Sequence, residues 1–269
     1  MNSIEHSEGQ DTWRLVATGT TTPIEDNTPK IINVCNCPEL GYWCAEYITG
    51  EMKKNLYTPE GEKLLSFTTT ANPITAYDNL PLWRKIFDSH SNSIAYKNAL
   101  ESEEKALRYW KDLVGYNCIW DHKPALKENL KRILRERGFS VEGSSWAWSK
   151  LNNFDYYYDI WSNIHYGFIG VHAGFLPDSL TAGASAAQYL NDRGSKSGTQ
   201  YHPENGAFYN RFDDISDQIS IKIGIELAKE KTPHDLSVSD LINKIESIPI
   251  PWGSENSPAK RKHVCLHRL

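Results

Sequence analysis

The chain of 269 residues has no long hydrophobic run. No apolar stretch approaches the roughly 20 residues that a transmembrane helix needs, and the mean hydropathy is −0.55. No segment repeats at a period of roughly 20–50 residues, which excludes solenoid repeats, and collagen and coiled-coil patterns are also absent. The sequence contains no Walker A loop, no Gly-x-Gly-x-x-Gly fingerprint and no His-Glu-x-x-His helix. These absences exclude a membrane-spanning protein and leave no standard nucleotide or zinc-protease motif.

Cysteine is scarce, and its count is odd: Cys35, Cys37, Cys44, Cys118 and Cys265. A disulfide framework is therefore not expected. The close spacing of Cys35, Cys37 and Cys44 suggests a metal, but no fourth ligand lies nearby and the spacing is not that of a zinc finger. Reduced structural thiols are favoured, and no metal or other cofactor is predicted. The first residues lack a basic region followed by an apolar stretch, so we predict no signal peptide and synthesis in the cytoplasm.

Positive charge is not in excess, because the formal net charge is −5. A dedicated nucleic-acid-binding protein usually carries a basic surface, so the bulk charge gives no support for that class. An enzyme that acts on RNA at a local site stays possible. Aromatic residues are abundant, with 9 Trp and 14 Tyr. This content predicts a folded chain with a substantial core rather than a disordered one.

The apolar periodicity predicts a mainly α fold: a compact helical domain with long loops and room for a small β element, of α+β type. Longer helices are predicted over 39–56, 96–114, 124–137, 158–173, 212–231 and 237–248, and short ones over 82–87 and 179–190. The remainder of 57–95 is predicted to be loop because it holds turn formers such as Pro59 and Pro73. The helix over 158–173 is apolar almost all round and therefore buried, and its glycines, Gly167 among them, allow another element to approach closely. The run of alternating isoleucines in 212–231 also suits a strand, and we favour a helix.

Four parts of the chain differ in composition. Residues 1–38 are predicted to be a flexible N-terminal lead-in, because their first 30 positions are polar and show little periodicity. Residues 39–232 form the predicted catalytic domain, and 233–252 contain a C-terminal helix. Residues 253–269 are predicted to be a basic, disordered tail, for which solvation is a more frequent outcome than contact with a polyanion.

The first polar cluster is Trp120-Asp121-His122-Lys123-Pro124, on a loop between two predicted helices. A histidine can shuttle protons near neutral pH, a lysine can stabilise developing negative charge, and an aspartate can orient the histidine. The structural alternative is that Asp121 caps the following helix while His122 and Lys123 are solvated.

The second polar cluster lies inside the apolar helix predicted over 158–173. Asp159, Asn163 and Tyr166 share one face by helical spacing, and His165 lies one position further round. Buried polar groups must be paired, so they mark either a catalytic site or an internal hydrogen-bond network. Asp217 belongs to an acidic group that also includes Asp213 and Asp214. This group could bring a third segment of the chain to the site, or its acids could cap the N-terminus of a helix.

Several blocks of the sequence resemble the bacterial polymorphic toxin type 44 family. The blocks are CAEYITGEMKKN at 44–55, GYNCIWDHKP at 115–124, YDIWSNIHYGFIG at 158–170 and DDISDQISIKIGIEL at 213–227. Their order and approximate spacing agree with the family across about residues 40–230. Family members tend to carry an arginine after the central block, where this chain has Val171 and His172, so an arginine-dependent role does not carry over.

The resemblance implies a mostly helical enzyme. The activity assigned to the family, that of a ribonuclease, is itself a prediction. Carried over to this chain, the resemblance gives the candidate catalytic residues Asp121, His122, Lys123, Asp159, Asn163, His165, Tyr166 and Asp217. For an RNase without a metal, His165 would act as the base, Asp159 would orient it, and His122 would be the acid. Lys123 would then stabilise the charge on phosphorus. Expected substrate-binding residues are Trp120, Trp161 and His172, and Trp120 and Tyr166 could stack an RNA base.

The resemblance further implies partners and a destination outside the producing cell. A secreted effector of bacterial competition would be delivered into a target cell by a specialised secretion system or carrier protein, and a cognate immunity protein would neutralise it. Two other classes stay open. One is a hydrolase of peptidoglycan or lipid-linked precursors in the target envelope, because Tyr158-Asp159-x5-His165 is spaced as in colicin M-like phosphatases. The other is a non-enzymatic binding module.

Overall fold

The structure is a computed structural model that describes residues 3–6, 13–16, 35–81, 84–85, 90–193 and 198–265. The chain divides into two compact units, Met1–Asn36 with His267–Leu269, and Cys37–Leu266. In the first unit, strands β1 (Ser3–His6) and β2 (Trp13–Val16) form an antiparallel pair. The rest of the predicted lead-in before residue 35 lies outside the described residues.

The second unit is mainly helical, which confirms the predicted fold class. Its described residues form nine α-helices: α1 (Leu40–Lys54), α2 (Pro59–Thr70), α3 (Pro73–Asp78), α4 (Ser91–Val114), α5 (Lys123–Glu136), α6 (Ile160–His172), α7 (Pro177–Arg193), α8 (Ile215–Glu230) and α9 (Val238–Ser247). Its strands are β3 (Trp148–Leu151), β4 (Phe154–Tyr157), β5 (Gly253–Ser254), β6 (Ser257–Pro258) and β7 (Lys260–Lys262). The order β3-β4-β7 gives one antiparallel sheet, and β5 pairs with β6.

Two helices, α2 and α3, occupy a region that the sequence predicts as loop, so that prediction is wrong there. Each helix begins with a proline directly after a capping residue. Thr58 Oγ1 accepts a hydrogen bond from the Gly61 amide at 3.2 Å, and Asn72 Oδ1 accepts one from the Ile74 amide at 2.9 Å. Proline suits the first helical position because a backbone N–H there has no hydrogen-bond partner within the helix, so its absence costs nothing. The short helix predicted at 82–87 falls mostly outside the described residues.

The C-terminal segment contains strands where the sequence predicts disorder, so that expectation is wrong for residues 253–262. Strand β7 pairs with β4, with Lys260 opposite Tyr156. The Lys260 ammonium is buried and donates to the carbonyl oxygens of Glu246 at 2.9 Å and Ile248 at 2.5 Å. These hydrogen bonds compensate for the removal of its charge from water. The four-part division of the chain stays a prediction.

Helix α6 lies at the centre of the core and crosses α8 at close range. Its Ile164 and Phe168 side chains are fully buried. A Cβ atom on Gly167 would overlap the carbonyl oxygen of Ile221, and one on Gly224 would overlap that of Ile164. Glycine at these two positions therefore lets the two backbones approach, which confirms the close approach predicted at Gly167. The segment 212–231 is helical as predicted, since it packs along α6.

Candidate active site

A cleft of about 460 Å³ opens beside the N-terminal half of α6, among residues from α4, α5, α7 and α8. One wall is apolar and aromatic and includes Leu107, Trp110, Phe175, Leu180 and Ala184. The charged and amide side chains of the lining, here called the cleft floor, are Asp121, Lys123, Asn163, Asp213 and Asp217. A concave, mostly apolar site with a few convergent polar groups is the usual form of a small-molecule or active site.

Asp217 lies at the centre of the cleft floor. Its Oδ1 accepts a hydrogen bond from Asn163 Nδ2 at 2.7 Å, and its Oδ2 lies 3.9 Å from the Lys123 ammonium nitrogen. Burial raises the pKa of Asp217, while Lys123 and the hydrogen bond from Asn163 oppose that rise. The predicted contribution of Asp217 thus comes from the first turn of α8 and meets α5 and α6.

Asp213 is a second carboxyl group on the cleft floor and is itself buried. Its Oδ2 accepts a hydrogen bond from Gln218 Nε2 at 2.7 Å, and its Oδ1 accepts one from the Asp214 amide at 3.1 Å. Burial, with repulsion from Asp217 second, raises the pKa of Asp213 to about 7. This residue is absent from the predicted catalytic set, although it opens the DDxxD pattern at the start of α8.

Asp159 stands immediately before α6 and completes a group of carboxyl groups around Lys123. Burial raises its pKa to about 7, and repulsion from Asp217 adds to the effect. Its Oδ1 is buried without a hydrogen-bond partner. Burial lowers the pKa of Lys123, but Asp217, Asp159 and other nearby anions outweigh it, so the pKa lies above its ordinary value. The lysine therefore stays charged, and the carboxyl groups share protons near neutral pH.

Asp121 and Tyr166 line the cleft but are held by structural hydrogen bonds. Asp121 accepts bonds from the backbone amides of Asn117 at 3.0 Å and Lys123 at 3.1 Å, which fixes the loop before α5. The Tyr166 hydroxyl donates to the Leu180 carbonyl oxygen at 3.0 Å. Burial raises the pKa of Tyr166 to about 12. At neutral pH these groups position the walls of the cleft and its neighbouring residues.

His122 and His165 form a buried pair outside the cleft lining, here called the histidine pocket. Their rings are T-shaped with centroids 4.2 Å apart. Burial lowers the pKa of His122 to about 4, and it lowers the pKa of His165 well below its ordinary value, with His122 adding to the effect. Both imidazoles are therefore neutral at pH 7, where a histidine in water would be partly charged.

Residues of α1 and the turn after it hold the histidine pocket. The Tyr47 hydroxyl lies 3.1 Å from His122 Nδ1. With the Asn55 amide nitrogen donating to Glu51, the Asn55 oxygen accepts from His165 Nε2 at 2.9 Å. That arrangement puts the proton of His165 on Nε2 and leaves Nδ1 buried without a partner. Asn55, and not the expected Asp159, is thus the residue that hydrogen-bonds and orients His165.

Of the three residues predicted to bind substrate, Trp120 lines the cleft. Trp120 is buried, and its ring centroid lies 6.5 Å from that of His165. Trp161 is fully buried, and its Nε1 donates to Ser149 Oγ at 3.3 Å. His172 lies 3.0 Å through Nε2 from the Lys231 carbonyl oxygen. Trp161 and His172 are therefore outside the cleft lining.

Sequence reasoning named Asp213 only within the acidic group around Asp217, and it missed both partners of the histidines. Tyr47 and Asn55 lie in the block 44–55 that carries part of the family resemblance, but their contacts cannot be read locally, because they precede His122 and His165 by 75 and 110 positions.

Comparison with protein-family models gives a match over residues 109–230 to the family described as bacterial toxin 44. The predicted resemblance to this toxin family is confirmed. The matched region, here called the toxin-44 segment, runs from the end of α4 to the end of α8 and includes the cleft floor and both histidines. No curated protein and no solved structure matches the chain. Among the described residues, no helix is both long and apolar enough to cross a membrane.

Proposed function

We propose that this chain is an antibacterial toxin that hydrolyses glycosidic bonds of peptidoglycan at the cleft floor. The observation that carries the proposal is the pair of carboxyl groups, Asp213 and Asp217, on one cleft beside Lys123. Two carboxyl groups in different environments are what acid–base hydrolysis of a glycosidic bond requires. The toxin-44 segment supports the toxin part of the proposal, because it contains both residues.

The two carboxyl groups have distinct roles in this proposal. Asp213 holds a proton near neutral pH and donates it to the glycosidic oxygen as the bond from that oxygen to the anomeric carbon breaks. Asp217 is the better candidate for the ionised form, because it contacts both the Lys123 ammonium and the Asn163 amide. Its negative charge would stabilise the positive charge that develops on the sugar ring, after which water adds to the anomeric carbon and returns a proton to Asp213. Lys123 limits the repulsion among the carboxylates.

The charge of the cleft favours an uncharged substrate group over a phosphodiester. Lys123 is surrounded by Asp121, Asp159 and Asp217, whose carboxylates all raise its pKa. A phosphate approaching this lysine would meet those negative charges at short range. A sugar meets no such repulsion, and the aromatic wall formed by Trp110, Tyr166 and Phe175 offers apolar faces against which a pyranose can lie.

Delivery and neutralisation follow from the proposed activity. Peptidoglycan lies outside the cytoplasm, so a toxin of this kind acts after transfer into the envelope of another cell. We expect a secretion system or carrier protein for that transfer, and a cognate immunity protein that blocks the cleft. The toxin-44 segment supports both expectations, since it gives the chain a toxin-family resemblance.

The first experiment is inducible expression in a bacterium with and without an added export signal, for the wild type, Asp217→Asn and Asp112→Asn. Asp112 is an exposed carboxyl group outside the cleft and serves as the matched control. We expect lysis only after export, its loss with Asp217→Asn and its retention with Asp112→Asn. Purified protein should also release new reducing ends from isolated peptidoglycan. Toxicity in neither compartment would instead leave a binding module.

A ribonuclease is the second candidate, and the paired rings of His122 and His165 favour it. Two imidazoles with centroids 4.2 Å apart, each with one buried nitrogen that lacks a partner, resemble an acid–base pair. Neither ring lines the cleft and both are buried, so RNA would reach them only after the surrounding residues moved. In this case expression without export would be toxic, cellular RNA would decay, and His165→Ala would abolish both effects.

A further inference from the structure

Three potential metal ligands meet at the two ends of the second unit. One ligand atom from each of Cys37, His263 and Cys265 lies within 4.8 Å of the others. Cys37 precedes α1, while His263 and Cys265 follow β7. Cys37 and Cys265 are 228 positions apart in the chain, so the fold and not local sequence brings them together.

The distance between the two sulfur atoms fits a shared metal better than a disulfide. Cys37 Sγ and Cys265 Sγ are 3.8 Å apart. A disulfide requires about 2.05 Å between sulfur atoms. Two thiolates on one tetrahedral zinc, each about 2.3 Å from the ion, are separated by about 3.8 Å. The sulfur atoms thus already have the spacing of two zinc ligands.

His263 is oriented as a metal-binding histidine usually is. Its Nδ1 lies 2.6 Å from Asp155 Oδ1, and its backbone amide donates to the Asn153 carbonyl oxygen at 2.9 Å. Asp155 is buried and also accepts a hydrogen bond from Arg261 Nε at 3.3 Å. A carboxylate that accepts from one imidazole nitrogen fixes the ring and makes the other nitrogen a better ligand. His263 Nε2 is the ligand atom by this reasoning.

We propose that Cys37, His263 and Cys265 bind a zinc ion that stabilises the fold. The ligand set is two thiolates and one imidazole, which are the donor types that zinc prefers in proteins.

The proposed zinc fastens the two ends of the second unit to each other. It joins the residues before α1 to the residues after β7, the third strand of the sheet formed with β3 and β4. These ligands lie outside residues 109–230, the toxin-44 segment, and belong neither to the cleft floor nor to the histidine pocket. The ion would therefore stabilise the fold and take no part in the hydrolysis proposed above.

The test is the zinc content and thermal stability of the full chain, purified under reducing conditions. We expect about one zinc per chain, and a lower melting temperature when a strong chelator removes it. Cys37→Ser and Cys265→Ser should lose the zinc, while Cys118→Ser, which changes a cysteine outside the site, should keep it. Cobalt(II) added to the zinc-free chain should produce the intense visible absorption of a tetrahedral thiolate site.

A milder variant keeps the proposal testable if the cysteine variants do not fold. Asp155→Asn leaves all three ligands in place and should weaken zinc binding roughly 10- to 100-fold, because it removes the charge behind His263. Wild-type protein with reduced cysteines and no bound zinc would overturn the proposal. A Cys37–Cys265 disulfide in zinc-free protein, or equal zinc loss with Cys118→Ser, would overturn it as well.

Discussion

The cleft floor and the histidine pocket use different faces of the same helix, α6. Asn163 and Tyr166 face the cleft, whereas His165 contacts His122 and Asn55 on another side. Both regions bury titratable groups, and burial disfavours the charged form in each. The consequence differs, since a carboxyl group shifts towards pH 7 while an imidazole shifts away from it. One physical cause therefore prepares the carboxyl groups for acid–base chemistry and makes the histidines neutral.

Access distinguishes the two regions further. The cleft floor borders a cavity large enough for a sugar residue, and its lysine and carboxyl groups keep charges close to that space. Both histidines of the histidine pocket are buried and neither lines the cleft, although the Trp120 ring beside His165 does. Buried polar residues on a helix can thus belong either to a functional site or to the core, and only their surroundings show which.

The strongest test of this comparison is Asp217→Asn at the cleft floor. We expect hydrolysis to fall by roughly 10²- to 10⁴-fold, because the substitution removes the ionised carboxylate. Folding should be preserved, since the asparagine oxygen can still accept from Asn163 and one of several like charges is lost. The rate of peptidoglycan digestion and the melting temperature measure the two effects. A variant that unfolds, or one with the activity of Asp112→Asn, would contradict the assignment.

The next largest effect is expected from His165→Ala in the histidine pocket. Its lost packing and the unpaired Asn55 oxygen should lower the free energy of unfolding by about 2–4 kcal/mol. Activity per folded molecule should stay near the wild-type value. Denaturant unfolding and digestion rates at matched folded concentration separate these outcomes, with the exposed His234→Ala as control. Lost activity at unchanged stability would favour the ribonuclease candidate.

The crossing of α6 and α8 lies beneath both regions, and Gly224→Ala tests it. An added Cβ would overlap the Ile164 carbonyl oxygen, so the helices must separate. We expect a loss of about 1–3 kcal/mol in the free energy of unfolding. Gly50→Ala is the matched helical control, because its Cβ would meet nothing within 4 Å, and it should be neutral or stabilising. Equal effects of the two substitutions would show that the crossing is not tight.

The dependence of stability on pH should have opposite signs in the two regions. Asp213 has a pKa near 7 in the folded chain, above about 3.9 when unfolded, so its stabilisation is lost as pH rises through that interval. His122 has a pKa near 4 when folded and about 6.5 when unfolded, so its stabilisation is lost as pH falls. Between about pH 4 and 6.5 the two contributions oppose each other.

Single substitutions should reveal the two opposed slopes. Asp213→Asn removes the contribution to stability that falls as pH rises. The slope of the free energy of unfolding against pH should therefore be more positive than that of the wild type, by up to about 1.4 kcal/mol per pH unit. His122→Asn removes the contribution that rises with pH, so its slope should be more negative than that of the wild type. Denaturant titrations at several pH values measure both. Parallel profiles for the two variants would refute the proposed protonation states.

The sequence by itself determined the helices of the toxin-44 segment and much of the cleft floor. Helical periodicity is local, so the spacing of Asp159, Asn163 and Tyr166 predicted a shared face, and Asn163 and Tyr166 do line one cleft. The same spacing predicted that His165 lies further round. The family resemblance likewise depends on short blocks that can be read without a fold.

Tertiary structure alone decided which buried polar groups face the cleft and which face the core. The partners of His122 and His165 come from α1 and the turn after it, far away in sequence. Cys37 and Cys265 meet through the pairing of β7 with β4, in a segment whose composition predicted disorder. Local composition indicates whether a segment prefers water or a helix. Contact between distant segments depends instead on how whole helices and strands pack. For that reason the carboxyl groups and the thiols acquired their neighbours only in the folded chain.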